Sequence, residues 1–136
     1  ALPQVVDQVR ACLGKVPVVG ICLGHQLLGL AVGASTFKLP FGHRGANHPV
    51  RDEVTGRVEV TSQNHGFCVN LEELVQSGGT VTHLNLNDKT LAGFVHEGHG
   101  AMGVQFHPEA CPGPRDSGHL VVDRFLSFAE ARRPQS

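Results

Sequence analysis

The sequence has no tryptophan and no tyrosine, and only 17% of its residues are charged. Soluble domains usually carry about 25%, but a hydrophobic share of 40% still excludes a disordered chain. No sign of charge dominates: eleven Lys and Arg stand against twelve Asp and Glu, a net charge of −1. That leaves no basic field to hold nucleic acid or anionic lipid. Long apolar runs are missing too, since Pro17 to Gly24 and Leu27 to Ala34 fall short of the roughly 20 residues a membrane span needs. No charged-then-apolar secretory signal opens the chain, and the expectation is a soluble, cytoplasmic domain. There is no C-x-x-C pair. The four cysteines, Cys12, Cys22, Cys68 and Cys111, are too few and too scattered for a disulfide scaffold and suggest no cysteine-rich zinc site.

What is present is 136 residues with nine histidines and seventeen glycines, the glycines at nearly twice the usual share of about 7%. The length suits one domain with a real core. Pro3 to Leu13 has the spacing of an amphipathic helix, with Val5, Val6, Val9, Cys12 and Leu13 on one face. Pro17 to Ile21 is a β-branched run that predicts a strand covered on both faces. Gly24 to Val32, apolar nearly all round, predicts a buried helix ended by Gly33. Phe37 to Pro49, rich in Gly, His and Pro, reads as loop. Beyond it the period becomes two: Val58 and Val60 alternate with Arg57 and Glu59, Leu84 and Leu86 with His83 and Asn85, and Met102, Val104 and Phe106 with Gly103 and Gln105. A short helix, Leu71 to Gln76, interrupts these strands. A last helix is predicted from about Gly118 to Arg132, with Val121, Phe125, Phe128 and Ala129 inward and Asp116 or Ser117 as its cap. The expected fold is α/β, parallel at the front and antiparallel or mixed behind.

Three segments carry chemistry. Gly20-Ile21-Cys22-Leu23-Gly24 has the form of a nucleophile elbow with cysteine in the serine position, between strand and helix. Glycines relieve collisions at such a turn, the helix N-terminus favours a thiolate, and the Leu23 N–H is placed to donate to an oxyanion. A buried structural cysteine is the commoner fate of a free Cys, and the elbow reverses that preference. In Gln105-Phe106-His107-Pro108-Glu109, residues i and i+2 of an extended segment share a side. Glu109 can therefore orient His107 as a base for a thiol. His-x-Glu is also half of a zinc deaminase signature, but only Cys111 follows where P-C-x-x-C is required, so no metal is expected. His96-x-x-His99 reads as a solvated turn. Gln63-Asn64-His65-Gly66-Phe67 is either the wall of a polar pocket or a tight turn using Asn and Gly.

Together these segments resemble class I (triad-type) glutamine amidotransferases, whose domain is flavodoxin-like with a mixed central sheet flanked by helices. Two further stretches, 41–50 and 108–116, resemble the small, glutamine-hydrolysing chains of carbamoyl phosphate synthetases. The resemblance implies a triad of Cys22, His107 and Glu109, and glutamine binding by Leu23, Gln26, Asn64, Gly66 and Phe67. It implies a large-chain partner that uses ATP, magnesium and bicarbonate to make carbamoyl phosphate for arginine and pyrimidine synthesis, with no cofactor on this chain. It also implies strands and a Gly-rich loop ahead of the first helix, including a second oxyanion donor, which this sequence does not contain. Residues 1–136 are then expected to be an amidotransferase domain incomplete at its N-terminus, poorly folded and inactive alone. Competing readings are a non-catalytic fragment that docks the large chain, the amidotransferase of another synthetase, and a flavodoxin-like redox protein.

Overall fold

The computed structural model describes residues 2–107 and 116–132. Its elements are α1 (Leu2–Cys12), β1 (Val18–Ile21), α2 (Leu23–Ala31), β2 (Thr36–Asp52), β3 (Val58–Val69), α3 (Leu71–Gln76), β4 (Thr80–Asn85), β5 (Leu91–His96), a 3-10 turn at Glu97–His99, β6 (Ala101–Val104) and α4 (Asp116–Ala131). The six strands form one sheet in the order β1-β6-β5-β4-β2-β3. β1 and β6 pair in parallel and the remaining neighbours are antiparallel, the mixed sheet that the change of periodicity implied.

The central strands are covered on both faces. Leu91, Phe94 and Ala101 pack with Leu28 and Val32 near α2 and with Leu74 of α3. On the other face Ala92, Met102 and Val104 pack against Val121, Phe125 and Phe128 of α4. Neighbouring residues of a strand thus serve opposite layers. Val121, Phe125 and Phe128 are buried as their spacing predicts, while Ala129 is only half-buried; the cap proposed at Asp116 or Ser117 involves side chains outside the described residues. α3 also matches its expected range, capped where the Asn70 side-chain oxygen accepts from Glu73 N–H at 3.0 Å.

Four expectations change. β1 is an edge strand, with Val19 43% and Ile21 38% exposed, because β6 is its only neighbour within the described sheet. Residues 37–49, read as loop, belong to the long strand β2, which pairs with β3 through register shifts between Lys38 and His43 and between Gly45 and His48. Gly42 and Gly45, at φ +70° and +99°, adopt left-handed geometry at those bulges, so local turn chemistry coexists with ladder pairing. The apolar alternation of β3 and β4 points the opposite way from the usual apolar-in rule. Val58 and Val60 are exposed while Thr61, Gln63 and His65 are buried, and His83 and Asn85 are more buried than Leu84. Finally, His96 is no solvated turn residue: it is buried, its Nε2 lies 2.9 Å from Ser77 O, and its Nδ1 accepts from His99 N–H at 3.3 Å.

Several of the inward polar groups pair with one another. Thr61 Oγ1 donates to His48 O at 2.7 Å and accepts from Gln63 Nε2 at 2.9 Å. Asp52 accepts from Val54 and Thr55 N–H at 2.9 and 3.2 Å and from Arg124 of α4, tying the β2 turn to the last helix. Partial burial opposes the Asp52 charge, but Arg124 and the Val54 N–H outweigh it and hold the carboxyl below its ordinary range.

Candidate active site

Parallel pairing of β1 with β6 places Ile21 opposite Val104. The residues that follow, Cys22 on one strand and Gln105 to His107 on the other, therefore emerge together at the carboxyl end of the sheet. That end is where open α/β sheets bind ligands.

Cys22 sits between β1 and α2 with φ 55° and ψ −108°, a strained conformation for a non-glycine residue. Its N–H donates to Val104 O at 2.9 Å and its carbonyl accepts from Gln26 N–H at 3.2 Å, so a strand contact and a helical contact enforce the bend. The two elbow glycines differ in their roles. A Cβ on Gly20 would lie 2.5 Å from both C and O of Gly24, whereas a Cβ on Gly24 would meet nothing within 4 Å. The crowding expected at both flanks is thus confined to Gly20, and Gly24 contributes the bare backbone that Gly20 approaches. Gly20→Ala is expected to cost about 2–4 kcal/mol. Gly24→Ala should be neutral or stabilising by up to about 1 kcal/mol. Urea midpoints of the two variants check this; equal shifts would overturn it.

The β3 wall lies over the elbow. The Cys22 thiol is 4.0 Å from Asn64 O, and Asn64 Oδ1 accepts from Arg44 at 3.1 Å. Gln26 Nε2 donates to Phe67 O at 3.1 Å and to Gln105 Oε1 at 3.2 Å, while Gln105 Nε2 is 3.8 Å from Cys22 Sγ. Behind the wall the His65 ring nitrogens lie 2.7 Å from Phe67 O and 2.8 Å from Gln63 Oε1. The structure therefore brings Cys22, Gln26, Asn64 and Phe67 together, with half-buried Gly66 between the last two and exposed Leu23 opening α2. His107 is half-buried, and its N–H donates to Ser62 O at 3.1 Å, docking this segment on β3. Glu109, Pro108 and Cys111 lie outside the described residues. Arg44 and the side-chain role of Gln105 were not anticipated. Gln105 stands two places before His107, and that proximity was the available signal.

The other cysteines differ. Cys12 is exposed, and Cys68 of β3 is buried with its Sγ 3.7 Å from Leu91 O. Burial pushes the Cys68 thiol up to about 11. Among the described residues no group of three or more His, Cys, Asp or Glu is placed to hold a metal ion, and no helix is long and apolar enough to cross a membrane.

A strained cysteine between a parallel strand and a helix, facing a wall of backbone carbonyls and side-chain amides, defines an α/β domain with the geometry of a nucleophile elbow. The chain belongs to the glutamine amidotransferase class-I family, which it matches over residues 2–126. It is 53% identical over 128 residues to the carbamoyl phosphate synthase pyrimidine-specific small chain of Halalkalibacterium halodurans, covering 94% of this chain and 35% of that one. It is 50% identical over 131 residues to the carbamoyl phosphate synthase small chain of Listeria innocua, covering 96% and 36%. The chain thus spans about a third of the length of these curated relatives. Its fold matches a putative GMP synthase component from Thermoplasma acidophilum with a TM-score of 0.76 at 21% identity, covering 97% of this chain and 65% of that one. A glutamine amidotransferase from Thermotoga maritima matches with a TM-score of 0.60 at 21% identity, covering 97% and 55%.

Proposed function

We propose that this chain hydrolyses the side-chain amide of glutamine and delivers the ammonia to a carbamoyl phosphate synthetase large chain. The observation that supports this most is the strained Cys22, set beneath the amide and carbonyl groups of Gln26, Asn64 and Phe67. The Cys22 thiol passes its proton to His107 as Sγ attacks the amide carbon, and the oxyanion that forms is met by the Leu23 N–H at the start of α2. The carbon–nitrogen bond then breaks, and His107 supplies the proton with which ammonia leaves. Water attacks the glutamyl thioester with His107 now as base, releasing glutamate and restoring the thiol. Glu109 orients His107.

Substrate binding falls to Leu23, Gln26, Asn64, Gly66 and Phe67. Both amide hydrogens of Gln26 are engaged by protein oxygens, so its Oε1 is the atom left to accept from a ligand, which suits the α-ammonium of glutamine. ATP, magnesium and bicarbonate are used on the large chain, and carbamoyl phosphate serves arginine and pyrimidine synthesis.

The test is ammonium release from glutamine by this chain assembled with a large chain; its absence would refute the proposal. Within that assay, His107→Asn should lower kcat by roughly 10²- to 10⁴-fold. Glu109→Gln should lower it less, because a mispositioned base is still present. A larger loss for Glu109→Gln would reverse the assigned roles.

A further inference from the structure

We propose that Gln105 supplies a fixed hydrogen-bond donor to the Cys22 sulfur, its orientation dictated from the Phe67 carbonyl through Gln26. This deepens the function proposed above and rests on Cys22 as its nucleophile.

The chain of contacts starts at a group that cannot turn over. A backbone carbonyl only accepts, so at 3.1 Å from Phe67 O the Gln26 side chain presents its nitrogen. The second hydrogen of that nitrogen points at the Gln105 side-chain oxygen, 3.2 Å away. The Gln105 nitrogen is therefore left facing Cys22 Sγ at 3.8 Å. Turning Gln105 over would set two amide nitrogens donor to donor. Turning Gln26 as well would press its oxygen against Phe67 O. Either reversal leaves buried polar groups unpaired, so the polarity of one backbone carbonyl propagates to the sulfur.

Gln105 is firmly held. It is 1% exposed, its N–H donates to Ala92 O at 2.8 Å, and it follows directly on Val104, whose carbonyl holds the Cys22 N–H. Donor and nucleophile are thus fixed to the same pair of parallel strands.

The sulfur lies between two opposite partners. Asn64 O, at 4.0 Å, accepts the S–H of a thiol and offers nothing to a thiolate. The Gln105 N–H does the reverse, because a hydrogen bond donated to a charged form favours that form. Charged or titratable groups reach this wall from each side. Arg44 of β2 bonds Asn64 Oδ1, and His65 of β3 bonds Phe67 O. His107 follows Gln105 in the chain, and His25 of α2 is buried against Phe94.

Alkylation of Cys22 by iodoacetamide in the full chain, followed by peptide mass spectrometry across pH, reads the thiolate without requiring glutamine turnover. Gln105→Glu keeps the acceptor for Gln26 but turns an oxygen toward the sulfur. It should slow alkylation at pH 7 about tenfold. Gln105→Met, which removes the donor without adding charge, should act in the same direction. Gln26→Met, at a half-buried position, should free Gln105 to turn over and give a smaller loss of the same sign. An unchanged profile in a folded Gln105 variant would overturn the proposal. If thermal melting shows both Gln105 variants unfolded, an unchanged profile in Gln26→Met overturns it equally. Normal wild-type alkylation without any glutamine hydrolysis would count against the proposed function and leave this coupling standing.

Discussion

Cys22→Ser is expected to abolish glutamine-dependent synthesis by the assembled enzyme, with a loss on the order of 10⁶-fold, the scale set by deleting a protease nucleophile. Synthesis from added ammonia should continue, because the substitution removes the source of ammonia and not its consumer. The strained backbone at Cys22 tolerates serine as well as cysteine, so the fold is preserved and the loss reports the sulfur alone. Serine fails because its hydroxyl does not ionise near neutral pH and the amide N–H of Gln105 cannot make up the difference. Cys12 is exposed at the end of α1, and Cys68 is buried with its thiol pushed up to about 11. Cys12→Ser, Cys68→Ser and Cys111→Ser should all retain turnover. Loss in one of these three with retention in Cys22→Ser would overturn the assignment.

Acid should destabilise the chain well above the carboxylate range. Burial lowers His25 to about 3, with the charges of His65 and His83 adding to the effect and the Gly103 backbone offering partial compensation. Burial also lowers His83 to about 4, against an opposing pull from Asp52 4.0 Å away. Both rings stay neutral in the folded chain but gain protons in the unfolded chain once the pH falls below about 6.5. The unfolded state then binds more protons, so stability falls with pH from about 6.5 down to the folded values. At pH 4 each ring accounts for roughly 3 kcal/mol, which together is comparable with the whole stability of a small domain, about 5–15 kcal/mol. Asp52 acts elsewhere: its depressed carboxyl stabilises above about pH 4 and its contribution is lost only below that. Urea midpoints between pH 7 and pH 4 check this. A midpoint that stays flat to pH 5 and drops only below pH 4.5 would show that these rings are hydrated or already charged in the folded chain.

Much of the candidate site's geometry was legible in one dimension because the elbow is local. An elbow needs a strand, a cysteine and a helix in immediate succession, and Gly20 to Gly24 supply them within five residues. The helices were readable for the same reason: the spacing of Val121, Phe125 and Phe128 marks the face that α4 buries, and Asn70 marks the start of α3. Two local features were misread: Gly24, whose side-chain position meets open space, and His96, which is buried and not a solvated turn residue.

What required the folded molecule was everything set by partners distant in the chain. Residues 37–49 carry the composition of a loop, yet pairing with β3 extends them into a strand, because ladder hydrogen bonds outweigh weak local preference. The inward face of β3 is polar, against its apolar alternation, because Thr61, Gln63 and His65 satisfy one another there and Val58 and Val60 are left outside. Cys22 and His107 stand far apart in sequence. The chemistry proposed for them pairs the two motifs, but only the parallel register of Ile21 with Val104 brings their segments to one end of the sheet. The orientation of Gln105 lies furthest from sequence reading. It depends on which atom of Gln26 faces a carbonyl on another strand, and an amide side chain has no fixed orientation until a backbone group that only accepts decides it.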